Sequence, residues 1–256
     1  MAHIYISIVS HGNDEDIITN ANLREINSLD NTIVIIRDNI SSSVLKSYCI
    51  ENGFSYSASK ATLGFGANNN INFKVALSLG MKKTDWFILF NPDLNISSSM
   101  IKRLVSTLPE FSNQIFAINL YFDEQFSVME NSLRKFPTFQ SFFNLFKRTS
   151  LTQTYDKKSL ANGAFVDWAA ASFLVFKAGL YKKLNGFDES YFMYYEDVDI
   201  CYRANKVYGQ QVCYLKNIKA VHQGGYKNRK LFSQHFRWYF ISLIRFLLKS
   251  TFGTKK

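Results

Sequence analysis

Three short apolar runs constrain what this chain can fold into. They are Ile4–Val9, Thr32–Ile36 and Asp85–Phe90, and each stops at a polar cluster: Ser10-His11-Gly12, Arg37-Asp38-Asn39 and Asn91-Pro92-Asp93. Runs this short, rich in β-branched and aromatic residues and closed by turn formers, read as strands buried on both faces. The intervals between them predict helices over residues 14–28, 42–52 and from Gly64 to about Leu79, with a weak strand at Ser55–Ser57. Strands alternating with helices predict a βαβ arrangement and a largely parallel sheet. Ligands of such sheets bind beyond the carboxyl ends of the strands. All three polar clusters sit at such ends, which points to a nucleotide-type crevice within residues 1–95.

The remaining bulk properties narrow the class. A chain of 256 residues with 47% hydrophobic and 20% charged residues can bury a sizeable core. A domain over residues 1–225, with halves 1–95 and 96–225, and a tail over 226–256 is expected. The net charge of +10 calls for an anionic partner, and much of it lies late in the chain, from Lys227 to Lys256. Cys49, Cys201 and Cys213 form no C-x-x-C pair and read as buried, reduced thiols. The start Met1-Ala-His lacks the basic and apolar regions of a signal peptide, and no apolar run reaches the roughly 18–20 residues of a spanning helix. A protein of the cytoplasm, soluble or peripheral to a membrane, is the expectation.

Beyond residue 95 the pattern predicts a helix over Ser97–Leu108 and a strand over Ile115–Tyr121. Phe139, Phe142, Phe143 and Phe146 recur at helical spacing and read either as a core face or as a surface for a lipid-bearing substrate. Val166–Phe176 reads as a strand pair or as one strand entered through a small-residue bend, and Gln211–Leu215 as another strand. The densest chemistry is Tyr191-Phe-Met-Tyr-Tyr-Glu196-Asp197-Val-Asp199, with three carboxylates in four positions beside aromatics. Like charges this close disfavour burial, so the cluster is either a solvated helix start favoured by the macrodipole or an acid–base site. Leu231–Lys249 places Phe232, Phe236, Tyr239, Phe240, Leu243 and Leu247 on one helical face and Arg237, Arg245 and Lys249 on the other. That pattern predicts a basic amphipathic helix, lying on a membrane or docked on the domain or in a dimer interface.

Taken together these segments resemble the inverting family-2 glycosyltransferases of the GT-A fold, and among them the bacterial rhamnosyltransferases of O-antigen and related polysaccharides. The resemblance runs from Ile8-Val-Ser-His-Gly12 through Arg37-Asp38-Asn39, Gly64-Phe-Gly66-Ala-Asn-Asn-Asn70, Asn91-Pro92-Asp93, Val166-Asp167-Trp168, Asn185-Gly-Phe-Asp-Glu189 and the acidic run to His222. It implies a Rossmann-like mixed sheet flanked by helices. It also implies transfer of a sugar, with dTDP-rhamnose as the expected donor, to a polyprenyl-diphosphate-linked saccharide at the inner face of the plasma membrane. Other sugar nucleotides (UDP- or GDP-sugars, galactofuranose) are the alternative donors.

By the same resemblance, Ser10, His11, Asp38, Asn39, Gly64, Phe65, Gly66, Asn70, Asn91 and Asp93 would bind the donor nucleotide, with Asp38 accepting from a pyrimidine N–H. Asn91 stands where the family usually has the first Asp of Asp-x-Asp. Asp93 and His222 would then hold Mg²⁺ or Mn²⁺ against the diphosphate. Asp197 would be the general base, Glu196 would contact the acceptor or tune Asp197, and Asp167 and Trp168 would line the acceptor site. Asp199 would anchor the helix or pair with Arg203. Two other classes compete. A Rossmann dehydrogenase needs its glycine loop after the first strand, whereas Gly64-x-Gly66 follows the third. A basic nucleic-acid-binding protein accounts for the charge but not for the clustered carboxylates, so no nucleic acid is expected as a partner.

Overall fold

A computed structural model describes residues 2–58, 61–139, 152–224 and 233–252. Its centre is one nine-stranded sheet in the order β3-β2-β1-β4-β10-β6-β11-β5, with β8 also pairing with β11. The strands are β1 (Ile4–Ser10), β2 (Thr32–Asp38), β3 (Ser55–Ala58), β4 (Trp86–Phe90), β5 (Leu94–Asn95), β6 (Ile115–Tyr121), β8 (Ala164–Val166), β10 (Phe173–Lys177) and β11 (Val212–His222). A separate ribbon pairs β7 (Leu133–Arg134) with β9 (Trp168–Ala169). The helices are α1 (Asp14–Thr19), α2 (Ala21–Asn27), α3 (Ser43–Glu51), α4 (Phe65–Ser78), α5 (Ser98–Thr107), α6 (Ala178–Lys183), α7 (Glu196–Tyr208) and α8 (Gln234–Phe252).

The expected strands follow from the pleat. Ile4, Ile6, Ile8, Val34 and Ile36 point to one face of the sheet and pack with residues of α1, α2 and α5. Tyr5 and Ile35 point to the other, toward α4, α6, α7 and α8. Both faces are covered, which is why these strands read as continuous apolar runs. Each apolar face buried at about 25 cal/mol per Å² supplies the main driving force for the fold.

Three expectations need correction. The helix expected over residues 14–28 is two helices, because Asn20 leaves helical geometry (φ −76°, ψ 91°) and its amide donates to the Leu94 carbonyl at 2.9 Å. The sheet, expected to be largely parallel, is mixed: β10 runs antiparallel to both β4 and β6, whereas β6 and β11 are parallel. The strand expected over Gln211–Leu215 extends to His222, with a bulge between Leu215 and Lys219. Of the Phe139–Phe146 series, Phe142, Phe143 and Phe146 lie outside the described residues, and Phe139 is exposed.

This mixed topology brings distant segments to one edge. The carboxyl ends of β1, β2, β4, β6 and β11 and the entry to the antiparallel β10 all lie along it. Helix α8 docks on the body instead of standing clear: Ser242, Leu243, Phe246 and Leu247 are buried. Its Arg245 and Lys249, expected to face outward, turn back to the Ser190 carbonyl and to Asp188 and Asp199. The three cysteines are buried and free. Among the described residues, no helix is long and apolar enough to cross a membrane.

Candidate active site

The site is built on the turn that ends β4. Asn91 donates its backbone N–H to the Ser172 carbonyl at 2.9 Å, tying this turn to the bend before β10. Asp93, on the same turn, meets His222 at the end of β11, with Asp93 Oδ1 3.3 Å from His222 Nε2. The Asn91 amide lies 3.4 Å from that same nitrogen. On the other side of the ring, His222 Nδ1 is 3.1 Å from Glu130 Oε2, and both side chains are buried. Burial lowers the imidazole's affinity for a proton, but hydrogen bonds to Asp93 and Glu130 outweigh it and lift its pKa to about 9.

The acidic run comes to the same bend from the other side. Asp197 accepts from the backbone N–H of Val198 at 2.8 Å and from that of Ala171, the neighbour of Ser172. Burial raises its pKa to about 6 against these two amides and the guanidinium of Arg134, all of which pull it down. Asp197 thus stays largely ionised at neutral pH and close to the range a general base needs. Glu196 differs. It is buried, its Oε2 has no hydrogen-bond partner among the described residues, and burial followed by the Asp197 charge push its pKa well above the usual carboxylate value. Two adjacent carboxyls with separated protonation states are the arrangement acid–base sites use. Asp199 pairs with Arg203 at 2.7 Å, as anticipated, and also with Lys249 at 2.6 Å.

The backbone before Asp197 is strained. Tyr194 (φ 68°) and Tyr195 (φ 67°) both adopt left-handed geometry, a conformation that costs about 1–3 kcal/mol per residue and persists only where the surroundings impose it. Helix α8 imposes it. Ser242 Oγ donates to the Met193 carbonyl at 3.0 Å, the Tyr195 hydroxyl donates to that of Tyr239 at 3.2 Å, and the Tyr194 hydroxyl lies 3.0 Å from His235 Nδ1. Trp238 packs on Phe192 with ring centroids 4.8 Å apart.

Several expected donor-site residues are instead spent on the loops. Asp38 is buried and accepts from the backbone N–H of Ile40, Ser41 and Ser42 and from the Tyr56 hydroxyl, which takes up the capacity expected for a base N–H. Asn39 exchanges two hydrogen bonds with the backbone of Leu63, and its amide reaches His11 Nδ1 at 3.3 Å. Ser10 is buried and holds the turn to Asn13 and Asp14, while His11 is exposed at the edge of the crevice.

The glycine loop meets protein as well. A Cβ on Gly64 would lie 2.8 Å from Phe192 Cα, and one on Gly66 would lie 2.8 Å from Phe187 Cβ. The Phe65 N–H donates to the Phe192 carbonyl at 3.1 Å, so the start of α4 receives the acidic loop. Asn70, expected to face the crevice, is buried and holds the 186–189 turn through Phe187 and Glu189.

The expected acceptor pair is tied to the backbone as well. Trp168 is buried, its indole N–H donates to the Lys135 carbonyl at 2.9 Å, and Arg134 stands 6.0 Å from its ring. Asp167, partly exposed, accepts from the Phe136 N–H and the Tyr155 hydroxyl. Sequence reasoning missed Glu130, Arg134 as a neighbour of Asp197, and the 170–172 bend as the shared frame. The only early signal was the small-residue bend itself.

The donor set at the Asp93–His222 pair suits a divalent cation. A carboxylate oxygen and an imidazole nitrogen 3.3 Å apart are spaced as adjacent ligands of one ion, with a diphosphate and water left to complete the shell. Among the described residues, no group of three or more His, Cys, Asp or Glu could hold a metal ion by itself.

No family model matches the chain. Over 249 residues it is 34% identical to the rhamnosyltransferase WbbL of Escherichia coli K12, covering 96% of this chain and 93% of that protein. It is 28% identical over 202 residues to the low-salt glycan biosynthesis hexosyltransferase Agl10 of Haloferax volcanii, covering 78% of this chain and 61% of that one. The mannosyltransferase PcManGT of Pyrobaculum calidifontis, solved with GDP-Man and Mn²⁺, shares the fold with a TM-score of 0.59 at 13% identity, over 95% of this chain and 64% of its own. Identity of this extent, on this fold, makes the enzyme a glycosyltransferase: the chain belongs to the inverting family-2 glycosyltransferases of the GT-A fold, with a bacterial rhamnosyltransferase among its relatives.

Proposed function

We propose that the enzyme moves L-rhamnose from dTDP-rhamnose to a hydroxyl of a polyprenyl-diphosphate-linked saccharide, inverting the anomeric centre. One observation carries the reading. The candidate base and the Asp93–His222 pair hang from neighbouring residues, Asp197 on the Ala171 N–H and the Asn91 turn on the Ser172 carbonyl. Asp197 takes the proton of the acceptor hydroxyl as that oxygen bonds to the anomeric carbon, and the bond to the nucleoside diphosphate breaks on the opposite face. Asp93 and His222 would hold Mg²⁺ or Mn²⁺, which when bound offsets the charge on the leaving diphosphate. The Val198 and Ala171 amides and Arg134 favour the ionised form of Asp197, and Glu196, whose carboxyl is held toward its protonated form, offers a proton donor or acceptor to the acceptor sugar. The test is product formation with dTDP-rhamnose, UDP- and GDP-sugars and a short lipid-diphosphate acceptor. Turnover confined to another donor would replace the donor assignment and leave the reaction class intact.

The lipid-linked acceptor places the work at the cytoplasmic face of a membrane, and the outer side of α8 suits that surface. Ile241, Ile244, Leu248 and Phe252 are exposed along one stripe of the helix. No acidic residue follows Asp199, whereas twelve Lys and Arg do, a bias that favours anionic headgroups. The I244E/L248E double variant is expected to lose co-sedimentation with phosphatidylglycerol vesicles while keeping its fold. Unchanged sedimentation, or a wild-type dimer that the variant splits, would assign the stripe elsewhere.

A further inference from the structure

Glu130 has no place in the reaction as described, yet it is buried against the one histidine of the candidate cation site. It lies 92 positions from His222 in the chain and reaches its Nδ1 at 3.1 Å. The backbone fixes it there: the Glu130 N–H donates to the Leu120 carbonyl at 2.9 Å, and Met129 bridges to Tyr121 at the end of β6. Buried Lys157 donates to that same Leu120 carbonyl at 3.3 Å, which sets a cation behind the carboxylate and offsets the cost of burying its charge. On its remaining side the imidazole is walled by Gly224, where a Cβ would come within 2.8 Å of His222 Cε1 and 3.1 Å of Nδ1.

We propose that Glu130 is a positioning residue that fixes the tautomer and plane of His222, so that Nε2 points at the position shared with Asp93, and that Gly224 is glycine because that plane leaves no room for a side chain. The inference rests on reading Asp93 and His222 as the cation pair. An imidazole that ligates through one nitrogen needs the other held. A carboxylate there fixes the ring and raises its basicity, and loss of such a partner typically weakens metal binding about 10–100-fold. The second ring contact is steric and does not depend on charge. Glu130 sets the rotation of the ring through a hydrogen bond, and Gly224 sets it by leaving space.

The test is Mn²⁺ affinity, read from the electron-paramagnetic-resonance signal of free Mn²⁺, with Mn²⁺ alone and with Mn²⁺ plus dTDP. Glu130→Ala is expected to weaken binding about 10–100-fold. Glu130→Gln, which keeps an acceptor but loses the charge, should fall between it and wild type. Gly224→Ala should weaken binding with Glu130 intact. On a His222→Ala background the Glu130→Gln change should cost nothing more, because two residues acting through one contact are not additive. Glu130→Gln is close to isosteric and folds if Glu130→Ala does not. Wild-type affinity in Glu130→Gln and Gly224→Ala would overturn the positioning role while leaving the cation pair standing. Failure of the wild-type enzyme to bind Mn²⁺ in either condition would remove the cation pair and the proposal together.

Discussion

Asp197→Asn is expected to lower kcat by about 10²–10⁴-fold, the usual worth of a positioned general base, while the protein melts no lower than wild type at pH 7.5. The two effects have one cause. Burial lifts the Asp197 pKa from 3.8 to about 6, so the fold disfavours its ionised form. For a carboxyl raised in this way, the stability linked to its protonation is present below its unfolded pKa and lost as pH rises through about 6. At pH 7.5 wild type carries the cost of a buried anion, and asparagine does not. The same titration shapes activity. The base must be ionised, so kcat/KM should fall about tenfold per pH unit below about 6. Wild-type turnover in Asp197→Asn, or an acid limb that survives unchanged in that variant, would reassign the base.

The contrast between Asp197 and Asp38 marks how far the sequence could be read. The strands of the first half were legible because burial on both faces leaves an unbroken apolar run, as in Thr32–Ile36. The acidic run was legible because like charges beside aromatics have few structural uses. Asp38, Asn39 and Asn70 look the same in sequence whether they meet a ligand or a backbone amide. Only the register of the loops shows that Asp38 holds three backbone N–H groups and that Asn70 holds Phe187. Glu130 carried no local signal at all: its partner lies 92 residues away and meets it through the bulged end of β11. The glycines at 64 and 66, expected at the donor nucleotide, permit the close approach of any neighbour. The neighbour that comes close is Phe192 or Phe187.

Helix α8 takes the docked placement, one of those its sequence left open, and its position yields the second large effect: Phe246→Ala should slow the enzyme from a site outside the candidate catalytic residues. Phe246 is 1% exposed and packs on Tyr195 and Tyr202 at ring distances of 5.9 and 5.4 Å. Removing a buried phenyl ring costs about 3–5 kcal/mol. The ion pairs of Lys249 are partly exposed and each contributes little against that. The sheet keeps its packed faces, so the loss falls on the docking of α8. Once the helix lifts, Tyr239, Ser242 and His235 release the 193–195 backbone, and the left-handed tyrosines relax into commoner geometry. Asp197 lies two residues beyond Tyr195 and loses its alignment with the Ala171 amide. Amide hydrogen exchange should rise together in residues 190–199 and 234–252, while the strands β1, β4 and β10 stay protected, and kcat should fall by at least about tenfold, the rate equivalent of 1.4 kcal/mol. Phe246→Leu, which keeps most of the buried volume, should retain activity. If exchange rises across α8 while kcat holds, the helix covers the acidic loop without shaping it, and the strain at Tyr194 and Tyr195 must be imposed from the Gly64–Phe65 side, where the Phe192 carbonyl is held.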